Sequence, residues 1–510
     1  MTLKSNGSGN WLAKFNLQDV SASLVVFLVA VPLALGIANA SGAPIAAGLI
    51  GCIVGGIVAG LVGGAPLQVS GPAAGLTVLV YGMVQKFGWT TMCAITLAAG
   101  IVQICFGVFR IARICLMISP AVVHGMLAGI GATIALAQFQ VMLGGSPKPS
   151  ALANFLALPQ VVSELVLHST KRTLDATILG LITIAILVAW TYVPPKLRLI
   201  PGGLVAVFVA TILGNLIFIN APYVVIQGGN LFALNMPGIP ADMAGFVIAV
   251  FTIAVVASVE SLLCAVATDQ QHTGPRANLD RELIGQGLSN SLSGLLGGLP
   301  VTGVIVRSSA NVAAGAKTQL SAILHGVWVL IFVMVAASLI NRIPLTALAA
   351  LLVHVGIRLI NAHHIKELTR HREIVIYAAT ALGVAFLNLL VGVAIGIGLA
   401  LGVQLLLRKF VPMKVSSRSD PEDDGMTRSH VSIDGGLSFL TVPRLTSVLA
   451  AIPTGSVVIH LNATTMDHAA FVTIRSWKHI YEKSGGSVEI IERESPWFRD
   501  AVEGRPRFSK

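Results

Sequence analysis

Apolar segments long enough to cross a bilayer follow one another almost without a break from residue 20 to residue 410. No other feature limits the fold as strongly. In hydrocarbon each backbone N–H and C=O must be paired inside the protein, and a helix does this within one segment of about 20 residues. The spans are read at 20–40, 44–63, 72–86, 91–109, 119–143, 174–193, 202–220, 243–267, 282–298, 303–316, 319–339, 343–360, 373–388 and 389–408, fourteen in all. Charged residues make up only 11% of the 510, whereas a soluble domain averages about 25%. So few charges could not clothe a soluble core of this size. A soluble enzyme and a disordered chain are both excluded, and an all-α polytopic membrane protein remains.

The two ends read differently. Residues 1–19 are polar and lack the short apolar core and cleavage site of a signal peptide, so the first apolar stretch is expected to stay as a helix. Beyond residue 410 the composition turns polar, with 411–428 reading as a linker and 429–510 as a small soluble domain. Within it, 430–434, 456–461 and 487–491 read as strands, and 443–451 and 469–483 as amphipathic helices. That alternation predicts a small α/β fold.

The five cysteines (Cys52, Cys93, Cys105, Cys115 and Cys264) lie in apolar stretches with no CxxC pair and read as small core residues. His124, His325 and His354 have no second ligand at helical spacing and read the same way. His363, His364 and His371 do not compose a tetrahedral zinc set. No Walker, HExxH or GxSxG motif occurs, so neither a cofactor nor an enzymatic activity is expected.

Lys and Arg set the orientation. With the N-terminus inside, all but six of the 33 fall on the cytoplasmic side or in the tail. Lys86, Lys148, Lys171, Arg172 and Arg342 fall in outer loops, and Arg307 falls within a span. Both termini are therefore expected in the cytoplasm. The net charge of +11 then reflects topology and the anionic inner leaflet, not nucleic acid.

Two stretches repeat. Ala59–Pro66 reads AGLVGGAP and Ser293–Pro300 reads SGLLGGLP, identical at five of eight positions. Each precedes one of the two short, Gly/Pro-interrupted spans. Two halves of seven spans would be inverted relative to each other, and short broken helices in matching positions point to a carrier's binding site. A half-helix starting near the midplane presents unpaired N–H groups and a positive dipole end. Two such starts, at Gly71-Pro72-Ala73-Ala74-Gly75 and at Pro300-Val301-Thr302-Gly303, would form an anion site. Arg307 would add positive charge there, or else pair with Glu260 or Asp269. Glu260 is the one carboxylate read deep within a span, and it suits a proton-coupling group or a cation ligand. Asp280-Arg281-Glu282 reads as a solvated helix start, with Asn278 or Asp280 as cap.

Several runs carry a resemblance. They are Val31-Pro32-Leu33-Ala34-Leu35-Gly36, Val69–Gly75, and the long stretch from Asp280 through Gly297-Gly298-Leu299-Pro300 and Thr302–Asn311 to Gly315-Ala316-Lys317-Thr318. In them the chain resembles the SulP family of inorganic anion transporters over nearly its whole length. The resemblance implies a fold of fourteen spans as 7+7 inverted repeats, with core and gate domains. It also implies a cytoplasmic STAS domain, a homodimer and an elevator-like mechanism. In cyanobacterial sodium–bicarbonate members the sodium-binding positions match Glu260 and Cys264 here. A thiol is a poor ligand for a hard cation, so proton coupling through Glu260 gains over sodium. The anion-contacting positions of those same members match Ala73, Val304 and Ile305, whose side chains are apolar. Binding would then rest on the backbone of Ala73, Ala74, Gly303, Val304, Ile305 and Val306, with Arg307 supplying charge. In STAS-type relatives a phosphorylated Ser follows an Asp, but Asp467 here is followed by His468-Ala469, which removes that switch.

The sequence therefore leads to one expectation. It is secondary transport of bicarbonate or sulfate across a bacterial inner membrane, with carbonic anhydrase as a functional partner. A passive anion channel and a sodium-coupled bicarbonate or dicarboxylate carrier are the alternatives.

Overall fold

A computed structural model describes residues 17–503 except 113–117, 149–150, 169, 195–199, 226–237, 239–241, 270, 273, 372, 388, 407–411, 422–426, 453–454 and 493–496. Cys115 and the first 16 residues lie outside the described residues. The chain opens with helices α1 (Leu17–Ala40) and α2 (Ile45–Val62), the latter relaxed into a π turn over Gly55–Ala59. The short strand β1 (Ser70–Pro72), α3 (Thr77–Phe87) and α4 (Trp89–Val108) follow. Next come α5 (Pro120–Met142), α6 (Ala151–Leu167), α7 (Lys171–Ala189), α8 (Gly202–Leu216) and α9 (Met243–Asp269). After them lie α10 (Leu279–Leu295), β2 (Val301–Gly303) and α11 (Ile305–Ala313). The last apolar group is α12 (Leu320–Ile340), α13 (Leu345–Leu359), α15 (Ile374–Phe386) and α16 (Leu389–Leu406), with the polar α14 (Ala362–Arg370) between α13 and α15. Among the described residues six helices of 18 or more residues are apolar enough to cross a membrane, and six further apolar helices are shorter.

The tail holds β3 (Lys414–Pro421), β4 (Thr427–Leu437), α17 (Val442–Ala450), β5 (Ser456–Met466), α18 (His468–Lys483), β6 (Ser487–Ile491) and α19 (Trp497–Val502). Its sheet runs β3-β4-β5-β6. The β3–β4 pair is antiparallel and the other two pairs are parallel. Alternate residues of β4 and β5 (Val431, Ile433, Val457, Ile459 and Leu461) form one core with Phe471 and Ile474 of α18. Period-two burial on strands and a helix laid over them is what an α/β layer requires.

The chain divides into two compact units. One combines the residues up to Phe109 with Thr170–Leu351, and the other combines Arg110–Ser169 with Leu352 onward. In the first unit α4 and α10 cross at small residues. A Cβ placed on Gly287 would sit 2.5 Å from the Gly100 carbonyl oxygen, and a Cβ on Gly100 would collide with the Gly287 carbonyl in return. Small residues at such crossings let backbones touch, which is how helices gain packing when lipid and side chains are equally apolar. In the second unit Gly131 of α5 and Gly356 of α13 face each other in the same way.

Three expectations change. The stretch read as a linker, 411–428, contains β3 and the first residues of β4. A polar edge strand has the composition of a linker, because only one of its sides is paired and neither face need be apolar. The loop expected between the fifth and sixth spans holds α6, 17 residues long and containing Pro159. Glu282 is not solvated but 2% exposed. The helix it opens is capped by Asn278, whose side chain accepts the Arg281 amide.

Gly287→Val should overpack the α4–α10 crossing and cost about 1–3 kcal/mol. Gly398→Val, where nothing lies within 4 Å, should be tolerated. Thermal unfolding in detergent checks both, and equal midpoints for the two variants would contradict the packing described.

Candidate functional site

The two repeated stretches meet. β1 pairs antiparallel with β2 in the register Ser70↔Gly303, Gly71↔Thr302 and Pro72↔Val301. The Val304 amide extends the ladder by donating to the Val69 carbonyl at 2.9 Å. Each strand leads into a short helix. On the β1 side a 3-10 turn over Ala74–Leu76 opens the 11-residue α3, and on the β2 side the 9-residue α11 begins at Ile305. At ~1.5 Å per residue each is about half a bilayer core in length.

Unwound backbone in this setting needs partners, and side chains supply them. Asn290 of α10 clamps Val301 from both sides, accepting its N–H at 2.6 Å and donating to its carbonyl at 2.8 Å. Gln103 of α4 in turn accepts from Asn290 at 2.7 Å. Ser261 of α9 accepts the Gly303 amide at 3.1 Å. Ser308 of α11 accepts the Val69 amide at 3.0 Å. Gln286 donates to Ser70 Oγ at 2.6 Å and to Glu282 at 2.7 Å. Glu282 also receives the Gly64 and Ala65 amides, both at 2.9 Å, and the Gln68 side chain at 2.7 Å. The carboxylate thus folds the loop that leads into β1. Asp19 does the same beyond α11, accepting the Lys317 amide at 2.7 Å and both the amide and the hydroxyl of Thr318.

Two of the expected anion-binding amides are therefore already engaged, Gly303 by Ser261 and Val304 by Val69. A short strand pair forms where a simple helix start was expected; its ladder takes the Val304 amide, and the Ser261 side chain of α9 takes that of Gly303. The first i→i−4 bond of α11 is made by Ser308 to Val304. The amides of Ile305, Val306 and Arg307 precede it and have no helical acceptor. On the other side Ala73 is extended and Ala74 begins the turn, so the open donors there lie at Ala74 and Gly75.

Arg307 is fully buried and is the largest such side chain among the described residues. Its guanidinium lies against Gly71, where any Cβ would collide with Nη1. Nη1 donates to Cys52 Sγ at 3.0 Å, Nη2 reaches the Ala30 carbonyl at 3.4 Å, and Nε has no hydrogen-bond partner. No described carboxylate pairs with it. The pairings with Glu260 or Asp269 are thus not made, and Asp269 instead holds His272 at 3.5 Å and the Ala277 amide at 2.8 Å.

Glu260 occupies the other half-helix start. Its carboxyl fills the space a Cβ on Gly75 would need and faces Thr302 of β2, while Oε2 has no hydrogen-bond partner. Cys264, one turn along α9, packs its thiol on Ser308 Oγ at 3.4 Å and Thr268 Oγ1 at 3.9 Å. Each buried charge thus rests on a glycine of the first repeat: Arg307 on Gly71 and Glu260 on Gly75.

The residues that hold the site but were not singled out are Asn290, Gln286, Ser261, Ser308 and Asp19, and Glu282 was read as solvated instead. One signal was available. Glu282, Gln286 and Asn290 recur at four-residue spacing, which lines a single face of an otherwise apolar helix.

A polytopic membrane protein with two half-helices crossing through a short antiparallel strand pair is the class that this architecture defines. The sulfate permease family profile matches residues 17–380, and the chain belongs to that family. It is 29% identical over 418 residues to a putative sulfate transporter, YvdB of Bacillus subtilis, spanning 78% of this chain and 75% of that protein. It is 30% identical over 429 residues to the bicarbonate transporter BicA of a Synechocystis species, spanning 80% of this chain and 73% of that protein. The solved transmembrane domain of a cyanobacterial BicA superimposes with a TM-score of 0.65 at 27% identity, over 75% of this chain and 97% of that one. The structure of SLC26A9 shares the fold with a TM-score of 0.68 at 17% identity, over 97% of this chain and 88% of that one.

Asn290→Ala would leave both backbone groups of Val301 without their clamp. The expected loss is about 2–4 kcal/mol, read as a lowered unfolding midpoint in detergent. An unchanged midpoint would remove Asn290 from this role.

Proposed function

We propose that this chain is a secondary transporter of a small inorganic anion. The observation that carries the reading is Arg307: a fully buried guanidinium, at the crossing of two half-helix starts, with no carboxylate among the described residues to neutralise it. A buried charge without a counter-charge is costly, and a bound anion would supply one. The open amides at Ala74–Gly75 and Ile305–Arg307 add donors and dipole ends of the same sign. Relatives named for sulfate and for bicarbonate agree with an oxyanion of this size, and bicarbonate is the first candidate.

Glu260 is the group proposed to accept a coupling proton. It faces the same crossing, has a carboxyl oxygen without a partner, and shares no ion pair with Arg307. Cys264 brings a soft thiol next to it, which suits a sodium ion poorly. The antiparallel β1–β2 pairing of repeated stretches supports fourteen spans as 7+7 inverted repeats, moving in an elevator-like cycle of core against gate. The α/β tail is read as a STAS-like cytoplasmic domain. The Lys and Arg distribution supports cytoplasmic termini in a bacterial inner membrane. A homodimer and supply of bicarbonate by carbonic anhydrase complete the proposal.

Uptake of labelled bicarbonate, sulfate and fumarate into proteoliposomes, under imposed proton or sodium gradients, tests substrate and coupling together. Accumulation above the equilibrium level is expected with a proton gradient, and a purely dissipative flux would indicate a channel. Arg307→Gln should lower uptake at least about tenfold, the scale of one or two charge-assisted hydrogen bonds, with unchanged folding. Uptake equal to the parent would remove Arg307 from the site. Glu260→Gln should leave transport that no longer responds to the proton gradient, and a parental pH response would end the coupling role.

A further inference from the structure

The second unit contains a cluster of ionisable groups far along the chain from the half-helix crossing. It lies where the C-terminal sheet meets the helices α5, α14, α15 and α16. The contact is a shared core: Phe439 and Ala469 of the tail pack with Ala121, Val122, Leu368, Ile376 and Tyr377. At its edge sits His468, 3% exposed, the first residue of α18.

A carboxylate faces each ring nitrogen of His468. Glu367 of α14 lies 3.5 Å from Nε2, and Glu373, which caps α15 from outside the helix, lies 3.9 Å from Nδ1. His371 stacks on the ring with centroids 4.3 Å apart. Asp467 precedes His468 as the cap of α18. It accepts the Ala470 amide at 3.0 Å and the Phe439 amide at 2.7 Å, with Gln404 of α16 at 3.3 Å. Ser119, leading into α5, donates to Glu373 at 3.4 Å. Arg475, one side of α18 further on, reaches Glu367 at 3.3 Å. Three carboxyls thus converge on one imidazole, and only Glu367 has a described arginine of its own.

We propose that this cluster is a proton-operated latch, in which Glu373 and Asp467 hold one proton between them while the sheet is docked on the membrane helices and release it when the sheet lifts away. The hydrogen bonding places that proton. Both Asp467 oxygens accept N–H groups, from Phe439, Ala470 and Gln404, whereas Glu373 is held by the His468 backbone amide and a long contact from Ser119. Burial pushes Glu373 up to about 7, and the negative charge of Asp467 adds to the effect. Burial also pushes Asp467 up to about 6, against the pull of its amide donors. Glu367 moves the other way, down to about 2, chiefly through its hydrogen bond with His468, and it stays ionised throughout.

The direction of the response follows from linkage. A carboxyl whose docked pKa is raised stabilises docking fully below its undocked value, and that contribution is lost as pH rises through the docked value. The latch therefore holds in acid and loosens between about pH 6 and 8. One proton with these values weakens docking about tenfold over that interval. It gives the tail a response to pH that does not pass through Glu260.

Hydrogen–deuterium exchange of the full chain in nanodiscs, corrected for the intrinsic pH dependence of exchange, reads the docking. Protection of the first turn of α18 and of α14 should fall about tenfold from pH 6 to pH 8. Glu373→Gln, which mimics the protonated acid, should hold it at the pH 6 level. Flat protection in the parent protein, or an unaltered pH response in the variant, would overturn the latch. Infrared difference spectra of the parent protein need no variant. A protonated carboxyl band that titrates near neutrality supports the latch and its absence refutes it, provided Glu260→Gln leaves that band in place.

Discussion

The pairing of Ser70–Pro72 with Val301–Gly303 leaves unwound backbone in the middle of a bundle whose helices otherwise close every hydrogen bond for themselves. In lipid an unpaired peptide group costs several kcal/mol, so the crossing can exist only with side chains committed to it. Asn290, Ser261, Ser308 and Gln286 provide those groups, and Glu282 and Asp19 fix the loops on either side. This demand explains why α10, an internal helix, is so polar. Its amides and carboxylate stand in for the helical bonds that β1 and β2 give up.

What the crossing gains is two helix starts held face to face with donors still open. Ser261 occupies the amide of Gly303 and the strand pair that of Val304, which moves the open donors one step into α11 and into the turn at Ala74–Gly75. Glycine at 71 and 75 admits the two buried charges, because a single methyl group at either position would occupy the place of the guanidinium or the carboxyl. Arg307 and Glu260 thus rest on different glycines and do not neutralise each other in an ion pair. An anion and a proton can each meet an unpaired partner there, which is the physical basis of the transport proposal.

The tail shows the same principle outside the membrane segments. Asp467, where a phosphorylated serine would follow in STAS-type relatives, is instead followed by His468, and the carboxylates facing the two ring nitrogens come from outside the tail, Glu367 of the polar α14 and Glu373 ahead of α15. The junction carries three carboxyls, two histidines and an arginine in contact with a shared apolar core. Such a cluster is sensitive to protons because it is buried, not because any one of its residues is unusual.

The run of apolar segments, the two interrupted spans and the isolated Arg307 and Glu260 were legible without coordinates, because composition and spacing express the demands of a bilayer directly. The strands of the tail core were legible for a similar reason, since alternate burial writes itself into β4 and β5. Edge strand β3 and helix α6 were not. A strand paired on one side and a short helix interrupted by Pro159 look like loops in composition. Nor could sequence alone tell that Glu282 is buried, that the Gly303 and Val304 amides are taken, or that Arg307 has no carboxylate partner among the described residues. Each of those depends on which distant segments meet. That choice is made by backbone pairing and glycine contacts between distant segments, several of them more than 200 positions apart. The chain's own order therefore determined that it lives in a membrane and where its exceptional charges lie. The tertiary structure decided which of its donors and charges remain free to act, because only packing spends or spares a hydrogen-bonding group.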